Sequence, residues 1–251
     1  MGDSFVSGPG ITPEQEDSGV CLRSERNWPA ELADLLDLDD VRDVSCAGAS
    51  TRHLLNDVPV EGGVVKAQVA SLGPQVDLVT VGIGANNAKG ILGGLVGACT
   101  TETRPSPSAC RDYVESTLPQ LLDEQVRPQV VSALREVRRR APEAAVLLTG
   151  YLRIASEGAG CDDLGIARGD LSSFVAGEEA IDEALAEAAE EAGVQYLDLR
   201  ALSDGHDVCS TAPWVNGRGL EPGDGELLHP NAAGMRAVAD AAADTLRPGQ
   251  A

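Results

Sequence analysis

Three short, mostly apolar runs constrain the fold of this chain more than any other feature: Asp77-Leu-Val-Thr-Val-Gly-Ile-Gly84, Ala144-Ala-Val-Leu-Leu-Thr-Gly150 and Val194-Gln-Tyr-Leu-Asp-Leu199. Runs of this length and character are the signature of strands buried on both faces of a parallel sheet. Between them lie stretches with apolar residues at helical spacing. Trp28 to Leu36 has Pro29 placed for a first turn, and Phe174 to Ala192 ends at Gly193. Tyr113 to Arg140 is long and helical, with Pro119 and Pro128 expected to break or kink it, and Pro230 to Leu246 is a final alanine-rich helix. Val41 to Cys46 alternates like a short strand, and Val64 to Leu72 reads as a brief helix ended by Gly73-Pro74. Strands alternating with helices predict an α/β fold whose parallel sheet is covered on both faces. At 251 residues the chain suits one domain spanning 1–251, with no internal repeat.

Composition removes several function classes. The chain carries 40 acidic against 19 basic residues, a formal charge of −21. Such a surface repels phosphate backbones, so nucleic acid is excluded as a partner. No run of eighteen apolar residues occurs, hence no transmembrane segment is expected, and the chain as given opens on no signal peptide. The cysteines Cys21, Cys46, Cys99, Cys110, Cys161 and Cys209 are even in number and lack the CxxC spacing of a zinc or redox site. Three disulfides formed in an oxidising, extracellular compartment explain them. Fifteen pairings are possible, and the local set is chosen here: Cys21–Cys46, Cys99–Cys110 and Cys161–Cys209. The loop between Cys99 and Cys110 is too polar to hold itself by burial, which makes a covalent clasp sensible there.

Sites in doubly covered parallel sheets lie at the carboxyl ends of the strands. Three turns should converge there: Gly2-Asp3-Ser4, Ala47-Gly48-Ala49 and Gly84-Ala85-Asn86-Asn87. A fourth loop supplies Glu226-Leu-Leu-His229-Pro-Asn. Together these are a full set for acyl transfer. Ser4 is the candidate nucleophile and His229 its general base, while Glu226 would orient the imidazole, with Asp224 a weaker candidate for that role. The N–H groups of Ser4 and Gly48 and the Asn86 amide would form the oxyanion hole. A turn presenting a nucleophile should follow a strand, yet only Met1 precedes this one. The preferred reading is that the first strand is missing from the chain as given.

Four separated blocks, Gly-Asp-Ser4-Phe, Gly48, Gly-Ala-Asn86-Asn and Glu-Leu-Leu-His229-Pro-Asn, resemble those of the SGNH (GDSL) hydrolase family. Cys21-Leu-Arg-Ser, Cys46-Ala-Gly-Ala, Leu78-Val-Thr-Val and Cys209 followed by Trp214-Val-Asn-Gly are similar to the secreted, three-disulfide actinobacterial esterases and lipases within it. The resemblance implies a three-layer α/β/α sandwich and cleavage of small-molecule or lipid esters through an acyl-serine, with neither metal nor cofactor, by a secreted monomer. Two departures stand out: Ala85 and Asn87 replace the second glycine and the aspartate of the family's Gly-Gly-Asn-Asp, and Glu226 replaces the aspartate three residues before the histidine, where some relatives use a backbone carbonyl instead. The alternatives are a carbohydrate O-deacetylase on the same scaffold and a non-catalytic extracellular binding module with a degraded site. Two phenylalanines and two tryptophans do not advertise a large aromatic lipid groove, which favours small or medium acyl groups.

Overall fold

The structure is a computed structural model that describes residues 1–61, 63–158 and 160–247. The three apolar runs form β3 (Leu78–Val81), β4 (Ala145–Thr149) and β5 (Gln195–Leu197), paired in parallel in that order, following the small hairpin of β1 (Val58–Val60) and β2 (Gly63–Val65). Parallel neighbours need long crossovers, and helices provide them. The Ile91–Cys99 helix and the 109–140 segment lie between β3 and β4, and the Leu171–Ala192 helix lies between β4 and β5. The Arg127–Arg140 and Leu171–Ala192 helices pack on each other, as do the Trp28–Leu36 and Ala232–Leu246 helices. The result is helix, parallel sheet, helix.

Local chemistry explains where the helices begin and stop. Asn27 and Asn231 cap the Trp28–Leu36 and Ala232–Leu246 helices by accepting the Ala30 and Gly234 N–H groups at 3.1 and 2.9 Å. Gly193, at φ +67°, closes the Leu171–Ala192 helix through the left-handed conformation that glycine adopts without penalty. Trp28, Phe174, Leu147 and Leu148 are fully buried in one continuous apolar cluster. Covering each such side chain contributes roughly 1.5–3 kcal/mol.

Three expectations need correction. Pro119 and Pro128 do not break the 109–140 segment. A π-helical turn, Tyr113–Thr117 or Leu122–Val126, lies directly ahead of each proline-bearing helix, Leu118–Leu121 and Arg127–Arg140. The wider turn accommodates a ring that lacks an N–H and would clash one turn back. Val64 to Leu72 is not one helix. Its β-branched start joins the β1–β2 hairpin, and a single 3₁₀ turn, Gln68–Ser71, follows. Val41 to Cys46 forms no named strand. Asp37, Leu38, Asp39, Asp40 and Val41 are exposed, and the chain reaches the sheet at Cys46, whose N–H donates to the Gly2 carbonyl at 3.0 Å.

The amino-terminal residues run parallel to β3. Gly82 N–H donates to the Met1 carbonyl and Asp3 N–H to the Gly82 carbonyl, at 3.2 and 3.0 Å, forming a Gly2–Gly82 bridge. Disulfides join Cys21 to Cys46, Cys99 to Cys110 and Cys161 to Cys209.

Candidate active site

Asp3 turns the chain from the sheet into a single helical turn, Ser4–Ser7. Its carboxylate caps that turn by accepting the Phe5 N–H at 3.0 Å, and its carbonyl accepts the Val6 and Ser7 N–H groups. Among the described residues the Ser4 N–H has no acceptor. Glycine is required before this turn, because a Cβ on Gly2 would meet the Gly82 carbonyl oxygen and Val6 Cγ2, each at 2.4 Å.

The Gly48 turn is tied to the same segment. Beyond the Cys46–Gly2 hydrogen bond, Ala47 N–H donates to the Cys21 carbonyl and Ala49 N–H to the Cys46 carbonyl, both at 3.0 Å. The Cys21–Cys46 disulfide fastens the turn covalently. Gly48 itself is exposed at φ +74°, and its N–H has no acceptor among the described residues.

The Gly84–Asn87 turn continues from the Gly82 bridge. Asn86 is half-buried, and one of its two amide hydrogens goes to the Ala49 carbonyl at 2.9 Å, leaving the other to point elsewhere. Asn87 is buried. Its Oδ1 accepts the Thr51 N–H at 3.1 Å, while Nδ2 donates to Thr51 Oγ1 and Gln129 Oε1, each at 2.7 Å. An aspartate could not donate to those two acceptors, so this departure from the family pattern has a local structural use. The methyl of Ala85 is likewise accommodated in the core, where this residue is 4% exposed.

Ser4 and His229 stand 225 positions apart in sequence and meet in space: His229 Nε2 lies 2.9 Å from Ser4 Oγ. Glu226 does not orient the ring. Its carboxylate belongs to an exposed residue, whereas His229 Nδ1 lies 2.9 Å from the Leu227 carbonyl. The reason is backbone shape. Leu228 adopts φ +58°, a left-handed turn that folds the Leu227 carbonyl back towards the imidazole. Asp224 is engaged elsewhere, accepting the Ala232 N–H at the start of the last helix at 2.9 Å. A carbonyl can only accept, so Nδ1 carries the proton and Nε2 offers its lone pair to the serine hydroxyl. That is the tautomer a general base needs.

Two further groups border the site. The Phe5 ring lies 4.9 Å from the His229 ring and 4.8 Å, edge-on, from Tyr151. Tyr151 links two of the turns through its hydroxyl, and burial with that contact pushes its ionisation well above the ordinary tyrosine value. Asp3, also buried, has its carboxyl pushed up to about 7 by loss of solvent. Sequence reasoning left a backbone carbonyl open as the alternative to Glu226 but could not name Leu227, because any residue could supply that carbonyl. It missed Tyr151, although a polar residue two positions after β4 sits at a strand's carboxyl end, where sites are expected.

The sequence matches the model of the GDSL-like Lipase/Acylhydrolase family over residues 1–237. Lipase 2 of Streptomyces coelicolor is 32% identical over 258 aligned residues, covering 98% of this chain and 84% of that protein. A lipase of Streptomyces rimosus is 30% identical, covering 86% of this chain and 74% of that protein. The crystal structure of phospholipase A1 from Streptomyces albidoflavus NA297 shares the fold, with a TM-score of 0.81 at 24% identity over 97% of this chain and 96% of that one.

Proposed function

The chain belongs to the GDSL-like lipase/acylhydrolase family and is a carboxylic ester hydrolase, and on that premise we propose that Ser4 is its nucleophile and His229 its general base. One observation carries the assignment: the 2.9 Å contact between His229 Nε2 and Ser4 Oγ, with Nδ1 committed to a carbonyl on the other side. Ser4 Oγ attacks the ester carbonyl as its proton passes to Nε2, and the Leu227 carbonyl supports the imidazolium that results. The carbonyl oxygen becomes an oxyanion. The Ser4 and Gly48 N–H groups and the second amide hydrogen of Asn86 receive it, all three being free of protein acceptors among the described residues. The intermediate collapses, the C–O bond to the alcohol breaks, and Nε2 returns its proton to the departing oxygen. Water then gives its proton to Nε2 and attacks the acyl-serine, the C–O bond to Ser4 breaks, Nε2 returns the proton to Ser4 Oγ, and the acid is released.

The scheme calls for no metal or cofactor, and because one chain supplies every group it uses, a single domain over 1–251 acting as a monomer suffices for the chemistry. Three disulfides support an extracellular location. The charge of −21 argues against nucleic acid as a partner. Small or medium acyl groups are the proposed substrates, since Trp28 and Phe174 are buried in the core and the half-buried Trp214 is stacked on His206, which leaves few aromatic rings to line a lipid groove. Ser4→Ala should lower turnover of a short-chain aryl ester at least about 1,000-fold without unfolding the protein. A panel of acetyl to long-chain esters, an acetylated sugar and a phosphatidylcholine then fixes the acyl range. Undiminished turnover by Ser4→Ala overturns the assignment.

A further inference from the structure

Tyr151 is buried just beyond β4 and touches three parts of the site. Its hydroxyl oxygen accepts the Ala85 N–H at 2.7 Å, on the residue immediately before Asn86. The same hydroxyl donates to Asp3 Oδ2 at 2.6 Å, and the other oxygen of that carboxylate caps the helical turn carrying Ser4. Its ring supports Phe5, which lies against His229. The nucleophile turn and the Asn86 turn are therefore joined by a buried chain of three hydrogen bonds: Ala85 N–H to Tyr151, Tyr151 to Asp3, and Phe5 N–H to Asp3. The Gly2–Gly82 bridge also joins the two turns, but it does so at their bases. Among the described residues, the tyrosine hydroxyl joins them directly beside Asn86, whereas the Asn86 amide itself reaches the nucleophile segment only through Ala49 and the Gly48 turn.

We infer that Tyr151 is a positioning residue that fixes the oxyanion-binding Asn86 turn relative to Ser4, so that the donors are in place before the ester arrives. The hydroxyl is suited to this because it accepts and donates at once. Phenylalanine would keep the ring contacts and leave both a buried N–H and a buried carboxylate short of a partner. A donor misplaced by a fraction of an ångström costs the transition state, where negative charge has developed, more than it costs the bound ester.

The inference rests on the assignment of Asn86 above, and a double-mutant cycle separates the two. Wild type, Tyr151→Phe, Asn86→Ala and the double variant are compared by kcat and KM on one short-chain aryl ester. Asn86→Ala alone should lose about 100- to 1,000-fold in kcat. Tyr151→Phe should lose about 10- to 100-fold in kcat, with KM within about 2-fold. In the Asn86→Ala background the same substitution should cost less than about 3-fold, because the group it positions is gone. If Tyr151→Phe does not fold, Asp3→Asn, which keeps an oxygen for the Phe5 cap, takes its place in the cycle with the same expectation. An unchanged kcat, or an equal loss in both backgrounds, overturns the positioning role and leaves the site assignment standing. An Asn86→Ala variant as fast as wild type overturns the oxyanion assignment and the inference with it.

Discussion

Leu228 holds a backbone conformation, φ +58°, that costs a side chain with a Cβ roughly 1–2 kcal/mol. Its surroundings impose that conformation: Leu228 N–H donates to the Asn216 carbonyl, and Asn216 N–H donates to the His229 carbonyl, at 2.8 and 2.9 Å. The reward is a carbonyl aimed at His229 Nδ1. Ser4, Gly48, Asn86 and His229, the residues proposed for the site, could be picked out from the sequence because each depends on the identity of its residue. The group that holds the imidazole could not, because a main-chain oxygen leaves no mark in a sequence, and Glu226 stood where a carboxylate was expected. Glu226→Gln should therefore keep kcat within about 2-fold of wild type, as expected of a surface change. A loss on the order of 10,000-fold, the scale seen when a histidine-orienting carboxylate is neutralised, would contradict this.

At the scale of elements, the nucleophile turn depends on close backbone approach. Gly2 and Gly82 lie where any Cβ would strike a neighbour, the one against a carbonyl oxygen and Val6, the other against Val6 Cγ2 at 2.6 Å. Gly2→Ala should lower stability by at least about 2 kcal/mol in thermal or urea unfolding. Gly48→Ala is the control, since nothing lies within 4 Å of its added methyl and only the left-handed φ is strained. Equal melting temperatures for Gly2→Ala and wild type would contradict the close-packed bridge. The helices with asparagine caps, proline starts and glycine stops were readable because those signals are local. The 41–46 stretch misled because alternation marks a strand only where residues pair along an edge: Cys46 alone donates to Gly2, while Val41 and Arg42 are exposed.

Across the whole molecule, buried carboxyl groups set how stability responds to pH. Burial raises Asp3 and Glu178 to about 7 and Asp182 to about 6, from 3.8, 4.5 and 3.8 respectively. Between about pH 4 and 7 the native state thus keeps protons that the unfolded chain has already lost. Stability falls as pH rises through that window, by up to about 1.4 kcal/mol per pH unit for each group. Glu136, held down at about 2 by Arg139 and Arg140, acts in the opposite sense below its ordinary value of 4.5. The Met1 ammonium and His53, both lowered by burial, oppose the carboxyls below their ordinary values of 8.0 and 6.5 without matching the three of them in number. The melting temperature should therefore be higher at pH 5 than at pH 8, and a rise towards pH 8 would count against these burials. For the chemistry itself, the most direct measurement is the intact mass and peptide map of the protein after exposure to a fluorophosphonate. The structure predicts a single adduct on Ser4, abolished by Ser4→Ala and strongly slowed by His229→Ala; an unlabelled protein, or an adduct on another residue that survives Ser4→Ala, would contradict it.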